Sequence, residues 1–313
     1  MRKLSMVIIV LAICTAFATA CGNNDNSSSS SSPSASSAAP SASSAPGSNA
    51  EASSSPAVTS KLLQEVIANK KIEIGTSNDA PWSTVTAEGK AEGIVPDIIR
   101  GFLTYMNIDA EISSTAMPFG SIIPSIQSGR IQIVGDAMYK TAERQEQIDF
   151  TDILFYNPEA LVVKKGNPQN IKSLEDLGGK AAGTYEGTTW IDTLNNIKGA
   201  DGSKVQVSVY PTIQDVMADV ESGRLAAALI DSSVSSYAIS QNPNLNLELV
   251  PEYSPDKTAV ANGLGIAKGD PEFITLFNQY YAQALSSGEI KAIFEKWGLT
   301  PADYWINKLD CQQ

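Results

Sequence analysis

Ala160-Leu-Val-Val-Lys164 and Leu264-Gly-Ile-Ala-Lys268 are two β-rich stretches that bracket a self-contained block of alternating elements. Inside the block, Lys180-Ala-Ala-Gly183, Val205-Gln-Val-Ser-Val-Tyr210 and Leu225-Ala-Ala-Ala-Leu-Ile230 read as strands. Residues 188–197 and 213–222 read as the helices between them, the second stopped by Gly223. The residues ahead of the block repeat the pattern. Lys71-Ile-Glu-Ile-Gly75, residues 109–113 and Ile131-Gln-Ile-Val134 are strands, alternating with helices over 95–106, with Pro96 near its first turn, and 122–128, closed by Gly129. A β-α-β-α-β order predicts a parallel sheet with helices on both faces. Two such units predict an α/β protein of two lobes, with the bracketing stretches as the two crossing hinge strands and residues 272–298 as a helix packed back on the first lobe.

Composition removes several chemistries. The 313 residues include 34 acidic and 22 basic side chains, three cysteines and no histidine. Without histidine the usual Ser-His-Asp and Cys-His nucleophile pairs and the usual zinc sites cannot be assembled. A formal net charge of −12 argues against a phosphate backbone as partner. No nucleic acid, metal or cofactor is therefore expected.

The ends of the chain carry their own signals. Arg2 and Lys3 lead into the apolar run from Met6 to Cys14, then into small residues before Cys21, the pattern of a secretory signal over residues 1–20. Ala18-Thr19-Ala20-Cys21 resembles the bacterial lipobox, with alanine where leucine is commonest, and so implies lipid on the Cys21 thiol; ordinary cleavage after Ala20 is the alternative. Residues 22–59 contain sixteen serines and one large apolar residue, Val58, so they cannot bury enough surface to offset their ordering entropy. Residues 21–59 are thus expected to be a lipidated, disordered tether. With Cys14 removed and Cys21 modified, Cys311 stands alone and no internal disulfide is expected. Lobe 1 is expected over 60–162 and 264–313, lobe 2 over 163–263. In open parallel sheets ligands bind beyond the carboxyl ends of the strands, so the site is expected in the cleft between lobes.

Five stretches occur in an order and spacing that carry a resemblance. They are Phe119-Gly-Ser-Ile-Ile-Pro-Ser-Ile-Gln-Ser-Gly-Arg130, the run Lys140-Thr-Ala-Glu-Arg-Gln-Glu-Gln-Ile-Asp-Phe-Thr151, residues 165–180, Gly183 to Thr189, and Ala227-Ala-Leu-Ile-Asp231. The first resembles an aromatic-led F-x-x-I-I-P-x-L-x-x-G helix and the second a T-x-E-R-x-x-x-I-D-F-S signature. Over residues 60–305 the chain resembles bacterial extracellular solute-binding proteins of family 3, which deliver polar amino acids to ATP-driven importers. The resemblance implies the type II periplasmic-binding-protein-like fold.

It also implies roles for particular residues. Arg144 matches the arginine that holds a ligand's α-carboxylate, a task suited to its planar fork; read alone, it is equally a surface arginine paired with Glu143 or Glu146. Thr188 and Thr189 match positions that face the same carboxylate, and helix capping would also place threonine there. Asp231, ending an apolar strand, matches the acceptor of the α-ammonium, and is also suited to cap the helix after it. Phe119 matches an aromatic that stacks on the ligand's side chain, and Asp79-Ala-Pro-Trp82 is expected to form a second wall. Here the chain departs from family habit: Asp79 falls near an aromatic position, Ser77 where some members carry an acid, Asp136 in place of a small or hydroxyl residue, and Tyr139, two positions beyond Ala137, where a small hydroxyl residue is common. A pocket holding Asp79, Asp136, Glu186 and Asp231 would favour a neutral or cationic side chain, unless some of these acids face solvent.

The resemblance therefore implies a monomeric, non-enzymatic lipoprotein outside the cytoplasm, anchored through Cys21 and serving the permease and ATPase subunits of an ABC importer. The cell membrane's outer face, or the periplasm of a Gram-negative cell, is the expected location. The alternatives are a dehydratase of prephenate or arogenate on the same fold, with Glu186 as a tuned acid or base, and the ligand-binding subunit of a sensor.

Overall fold

The computed structural model describes residues 59–253 and 261–300. The signal pattern, Cys21, the serine-rich stretch to residue 58 and Cys311 lie outside them. In chain order the first part comprises α1 (Lys61–Asn69), β1 (Lys71–Thr76), β2 (Thr84–Val85), β3 (Ala91–Glu92), α2 (Ile94–Tyr105), β4 (Glu111–Ala116), α3 (Ile122–Gln127), β5 (Ile133–Val134), α4 (Ala142–Gln147), β6 (Asp149–Phe150) and β7 (Phe155–Tyr156). Next come β8 (Glu159–Lys164), β9 (Ala181–Tyr185), α5 (Trp190–Asn196), β10 (Gln206–Tyr210), α6 (Ile213–Ser222), β11 (Ala227–Asp231), α7 (Ser232–Gln241) and β12 (Leu247–Leu249). The chain finishes with β13 (Ala261–Asn262), β14 (Gly265–Ile266), α8 (Pro271–Ser287) and α9 (Glu289–Lys296).

Local sequence explains the elements that place the site. α2 buries Ile94, Val95, Ile98, Ile99, Phe102 and Leu103, the spacing of one helical face. α6 begins at Thr212, whose hydroxyl accepts from Asp215 N, and ends at Gly223, which takes the left-handed conformation at φ 83°. Asp270 caps α8 by accepting from Phe273 N at 3.0 Å, and the same carboxylate accepts from Leu62 N and the Ser60 hydroxyl, joining the starts of α1 and α8.

Two five-stranded sheets result, in the orders β4-β1-β5-β14-β6 and β10-β9-β11-β8-β12. The expected parallel triplets are present, β4-β1-β5 and β10-β9-β11. Each sheet is mixed, however, because β14 runs antiparallel to β5 and β6, and β8 antiparallel to β11 and β12. The hinge expectation is corrected in the same way. Residues 160–164 belong to β8, a buried strand inside the second sheet, and residues 265–266 complete the first sheet. The crossing is made instead by β7 and β13, which pair antiparallel as Tyr156 with Ala261 and Phe155 with Asn262. The first sheet's share of the chain thus ends before β8, not at residue 162.

The C-terminal helix is also two helices. Gly288 at φ 82° ends α8 and starts α9, since a left-handed residue cannot continue an α-helix. Both pack on the first lobe as expected: Phe102 of α2 meets Phe273 at 5.4 Å and Phe277 at 5.2 Å, edge to face. Trp82 stacks on Phe155 of the crossing strand at 4.5 Å with Phe294 of α9 against its edge, so an aromatic plug fills the base of the crossing. Among the described residues no helix is long and apolar enough to cross a membrane.

Candidate functional site

α4 is a short helix of sequence Ala-Glu-Arg-Gln-Glu-Gln, and the residue it buries is the arginine. Thr141 starts it by accepting from Arg144 N, while Lys140 N bonds to the Ala261 carbonyl, so the helix is pinned to the crossing strand. Arg144 is 8% exposed and donates to the Tyr139 carbonyl at 2.9 Å and to the Gly187 carbonyl, across the cleft, at 2.8 Å. Its guanidinium lies 5.4 Å from the centre of the Phe119 ring. Among the described residues it forms no ion pair: the surface pairing with Glu143 or Glu146 is not made. Burial lowers its pKa from the ordinary guanidinium value. A buried cation whose partners are two carbonyls is a seat for an anion.

Around it stand four rings. Phe119 meets Tyr185 edge-on at 5.8 Å, and Trp190 meets both Tyr139 and Tyr185 at 5.8 Å. Trp190 is fixed by donating from its indole to Glu159, which also accepts from the Tyr253 hydroxyl. These rings, with Ala137, Arg144, Thr188 and Thr189, leave a cavity of about 10 Å³, room for about one water molecule. A groove of about 360 Å³ opens from it, lined on one side by Phe119, Ile123 and Arg144 and on the other by Gly187, Thr188 and Asp192. A separate cavity of about 620 Å³ lies between α2, α8 and α9 and contains none of these residues.

The cleft is thus shut. A Cβ on Gly187 would stand 2.5 Å from Gly120 Cα, so the two lobes touch backbone to backbone. Gln214 of α6 adds a donor to the Asn78 carbonyl at 3.4 Å. Thr188 bonds to the Tyr185 carbonyl and Thr189 precedes α5 without a side-chain cap, so capping does not occupy the Thr189 hydroxyl.

Three acids are buried beside the rings. Asp79, Asp136 and Asp231 are each under 5% exposed. Asp231 does cap α7, accepting from Val234 N at 2.9 Å, and it also accepts from the amide of Asn157, just past the crossing strand. Burial raises its pKa to about 6, opposed by the Val234, Asn157 and Ser233 donors and by the Trp82 indole, which faces it without a hydrogen bond of regular geometry. Burial raises Asp136 to about 6 as well, against the Ser77 and Thr76 donors. Asp79 is held well above the ordinary carboxyl range, by burial and then by the Asp136 charge. Among the described residues none of the three has a cationic partner, and no group of acids, cysteines or histidines has the arrangement to hold a metal ion.

Of the expected residues, Phe119, Ala137, Tyr139, Arg144, Thr188 and Thr189 line the cavity and Asp79, Asp136 and Asp231 are buried beside its rings, while Glu186 and Trp82 lie elsewhere. Glu186 is exposed: it follows Tyr185, which points inward, and successive residues of an extended chain point to opposite sides. Trp82 is fully buried in the aromatic plug rather than forming an open wall, with its indole edge turned toward Asp231. Tyr185, Trp190, Ser77 and Asn157 were not on the expected list. Tyr185 and Trp190 flank the Glu186-Gly-Thr-Thr189 loop at a strand end, and that position was the available signal.

The profile of the bacterial extracellular solute-binding proteins, family 3, matches residues 72–300. The chain belongs to that family. This solute-binding protein is 24% identical over 246 residues to the "Probable histidine-binding protein" of Neisseria gonorrhoeae, covering 78% of this chain and 86% of the relative. It is 26% identical to the "Arginine-binding extracellular protein ArtP" of Bacillus subtilis over 229 residues, 73% and 86% of the two chains. Among solved structures, an ancestral arginine-binding protein bound to arginine matches with a TM-score of 0.64 and 30% identity, over 73% of this solute-binding protein and 98% of the other. An ancestral arginine-binding protein bound to glutamine matches as well, with a TM-score of 0.64 and 30% identity, over 73% of this chain and 97% of the other.

Proposed function

We propose that this protein captures a polar amino acid, or a related zwitterion with a neutral or cationic side chain, by closure of its lobes and hands it to the permease and ATPase subunits of an ABC importer. The observation that carries this reading is unpaired charge of both signs in one cleft: Arg144 without an anion, and Asp79, Asp136 and Asp231 without a cation. A zwitterion supplies both missing partners. In this reading Arg144 takes the α-carboxylate, helped by the hydroxyls of Thr188 and Thr189, and Asp231 takes the α-ammonium. Phe119, Tyr139, Ala137, Tyr185 and Trp190 flank the side chain, while Asp79 and Asp136 set its charge preference.

Arg144 comes from one lobe and Asp231 from the other, so the ligand favours the state in which it touches both. Binding without chemistry is the better reading, because exposure of Glu186 removes the acid that favoured a dehydratase. Lipid on Cys21, a signal over 1–20 and a monomeric, extracytoplasmic protein complete the proposal. A thermal-shift screen against amino acids and their betaine, opine and polyamine relatives tests it. Stabilisation by one or more α-amino acids is expected; stabilisation by another class alone would overturn it.

A further inference from the structure

The end of β1 and the turn after it bring two carboxyls onto one hydroxyl. Ser77 Oγ lies 2.7 Å from Asp79 Oδ2 and 2.7 Å from Asp136 Oδ2, yet a serine hydroxyl has one hydrogen. One of the two contacts must therefore be donated by a carboxyl. Thr76 Oγ1 repeats the shortage, with one hydrogen between Asp136 Oδ1 at 2.7 Å and the Ser83 carbonyl at 2.8 Å. Asp136 also accepts from Ser77 N at 2.7 Å, so it collects donors on both oxygens. Asp79 meets the Ser77 hydroxyl and, without regular hydrogen-bond geometry, that of Tyr185: its buried Oδ1 accepts no hydrogen bond of regular geometry. Donor supply thus puts one proton on the pair, and it rests on Asp79 when Thr76 donates to Asp136.

The charges around the pair point the same way. Asp79 faces Asp136 after β5, Asp231 at the end of β11 and the Tyr185 hydroxyl at the end of β9, and its pKa is raised by burial first and by the Asp136 charge second. The cleft's buried cation, Arg144, is directed at the Tyr139 and Gly187 carbonyls. We propose that Asp79 and Asp136 share one proton in the empty cleft and exchange it for the positive end of a ligand's side chain. This rests on the amino-acid reading of the cleft and names the side-chain class, an ammonium or guanidinium. In the exchange the Asp79 O–H bond breaks, the proton passes to solvent, and the pair goes from one negative charge to two as the ligand's cation seats beside it. Charge inside the site is conserved, one positive charge leaving as one arrives. A neutral side chain offers nothing in return for the proton and leaves it in place.

The test uses L-arginine and L-glutamine as probes. Titration calorimetry at neutral pH in phosphate and in Tris, whose ionisation heats differ, counts protons: about one released per arginine bound and none per glutamine are expected. Difference infrared spectroscopy of the ligand-free protein should show a carboxylic-acid carbonyl band at neutral pH that arginine removes and that Asp79→Asn lacks. Asp79→Asn should also lower arginine affinity at least about tenfold, about 1.4 kcal/mol, and abolish the buffer dependence. Arginine binding with no proton release, binding of glutamine but not arginine, or a ligand-free protein with no acid band overturns the proposal while the amino-acid reading stands. A protein that shows the band but binds neither probe nor any other amino acid refutes the amino-acid reading and this exchange with it.

Discussion

Arg144 and the three buried acids make the most direct residue-scale predictions. Removing the guanidinium leaves the Tyr139 and Gly187 carbonyls without their donor and takes away the cation proposed to meet the ligand's carboxylate. Arg144→Ala is expected to weaken amino-acid binding by about 2–5 kcal/mol, about 30-fold or more, measured by calorimetry; full affinity would dispose of the carboxylate seat. The acids predict an inverted pH profile for stability. Burial raises Asp136 and Asp231 to about 6 and holds Asp79 well above the ordinary carboxyl range, all above the unfolded carboxyl value of about 4. The folded state then holds more protons than the unfolded chain, so unfolding free energy falls as pH rises. Ligand-free protein is accordingly expected to melt lower at pH 7 than at pH 5. Asp79→Asn should raise the melting temperature at neutral pH, by about 2–4 °C for each kcal/mol relieved. Arg144 was legible in the sequence because its surrounding signature is contiguous. Asn157, Tyr185 and the Ser77 bridge were not, because each matters only through a partner brought close by the fold.

At the level of elements, the loop before α5 and the turn before α3 are the parts that meet when the cleft shuts. Gly187 sits at φ 78° with its missing Cβ aimed at Gly120, whereas a Cβ on Gly120 would find Gly187 N at an ordinary 3.5 Å. Gly187→Ala is therefore expected to cost about 1 kcal/mol of stability through its backbone and, beyond that, to weaken ligand binding by preventing contact. Gly120→Ala should leave affinity within about threefold, under about 1 kcal/mol. Calorimetry on the two variants separates steric closure from simple loss of fold. The element list also shows what a linear sequence conveys. α6 could be bounded to the residue because Thr212 and Gly223 mark both ends. The hinge could not: β7 and β13 have two residues each, too few for any periodicity, while the longer apolar run of β8 drew attention to the wrong place. Antiparallel insertion of β8 and β14 depends on register, which apolar runs do not encode.

Across the described residues the lobes close over the four rings, leaving room for about one water among them beneath the groove of about 360 Å³ beside Arg144. An amino acid cannot enter that arrangement, so opening about the β7–β13 crossing must come before binding. Association rates measured by rapid mixing are expected to level off as ligand concentration rises, at the rate of opening; strict linearity would mean that the open form already predominates. The two-lobed plan and the position of the cleft were readable from the repeated alternation of strands and helices, but the degree of closure was not, since it depends on contacts between distant loops such as Arg144 with Gly187. Trp190 gives this motion a visible consequence. Its indole lines the cavity, lies edge-on to two tyrosine rings and donates to Glu159. Admission of a ligand must alter the polarity and the quenching groups around that ring, so the protein's own fluorescence should change colour or intensity on binding, and Trp190→Phe should silence it. A transport component that needs no dye to report its cargo is a ready-made sensor for whatever it carries.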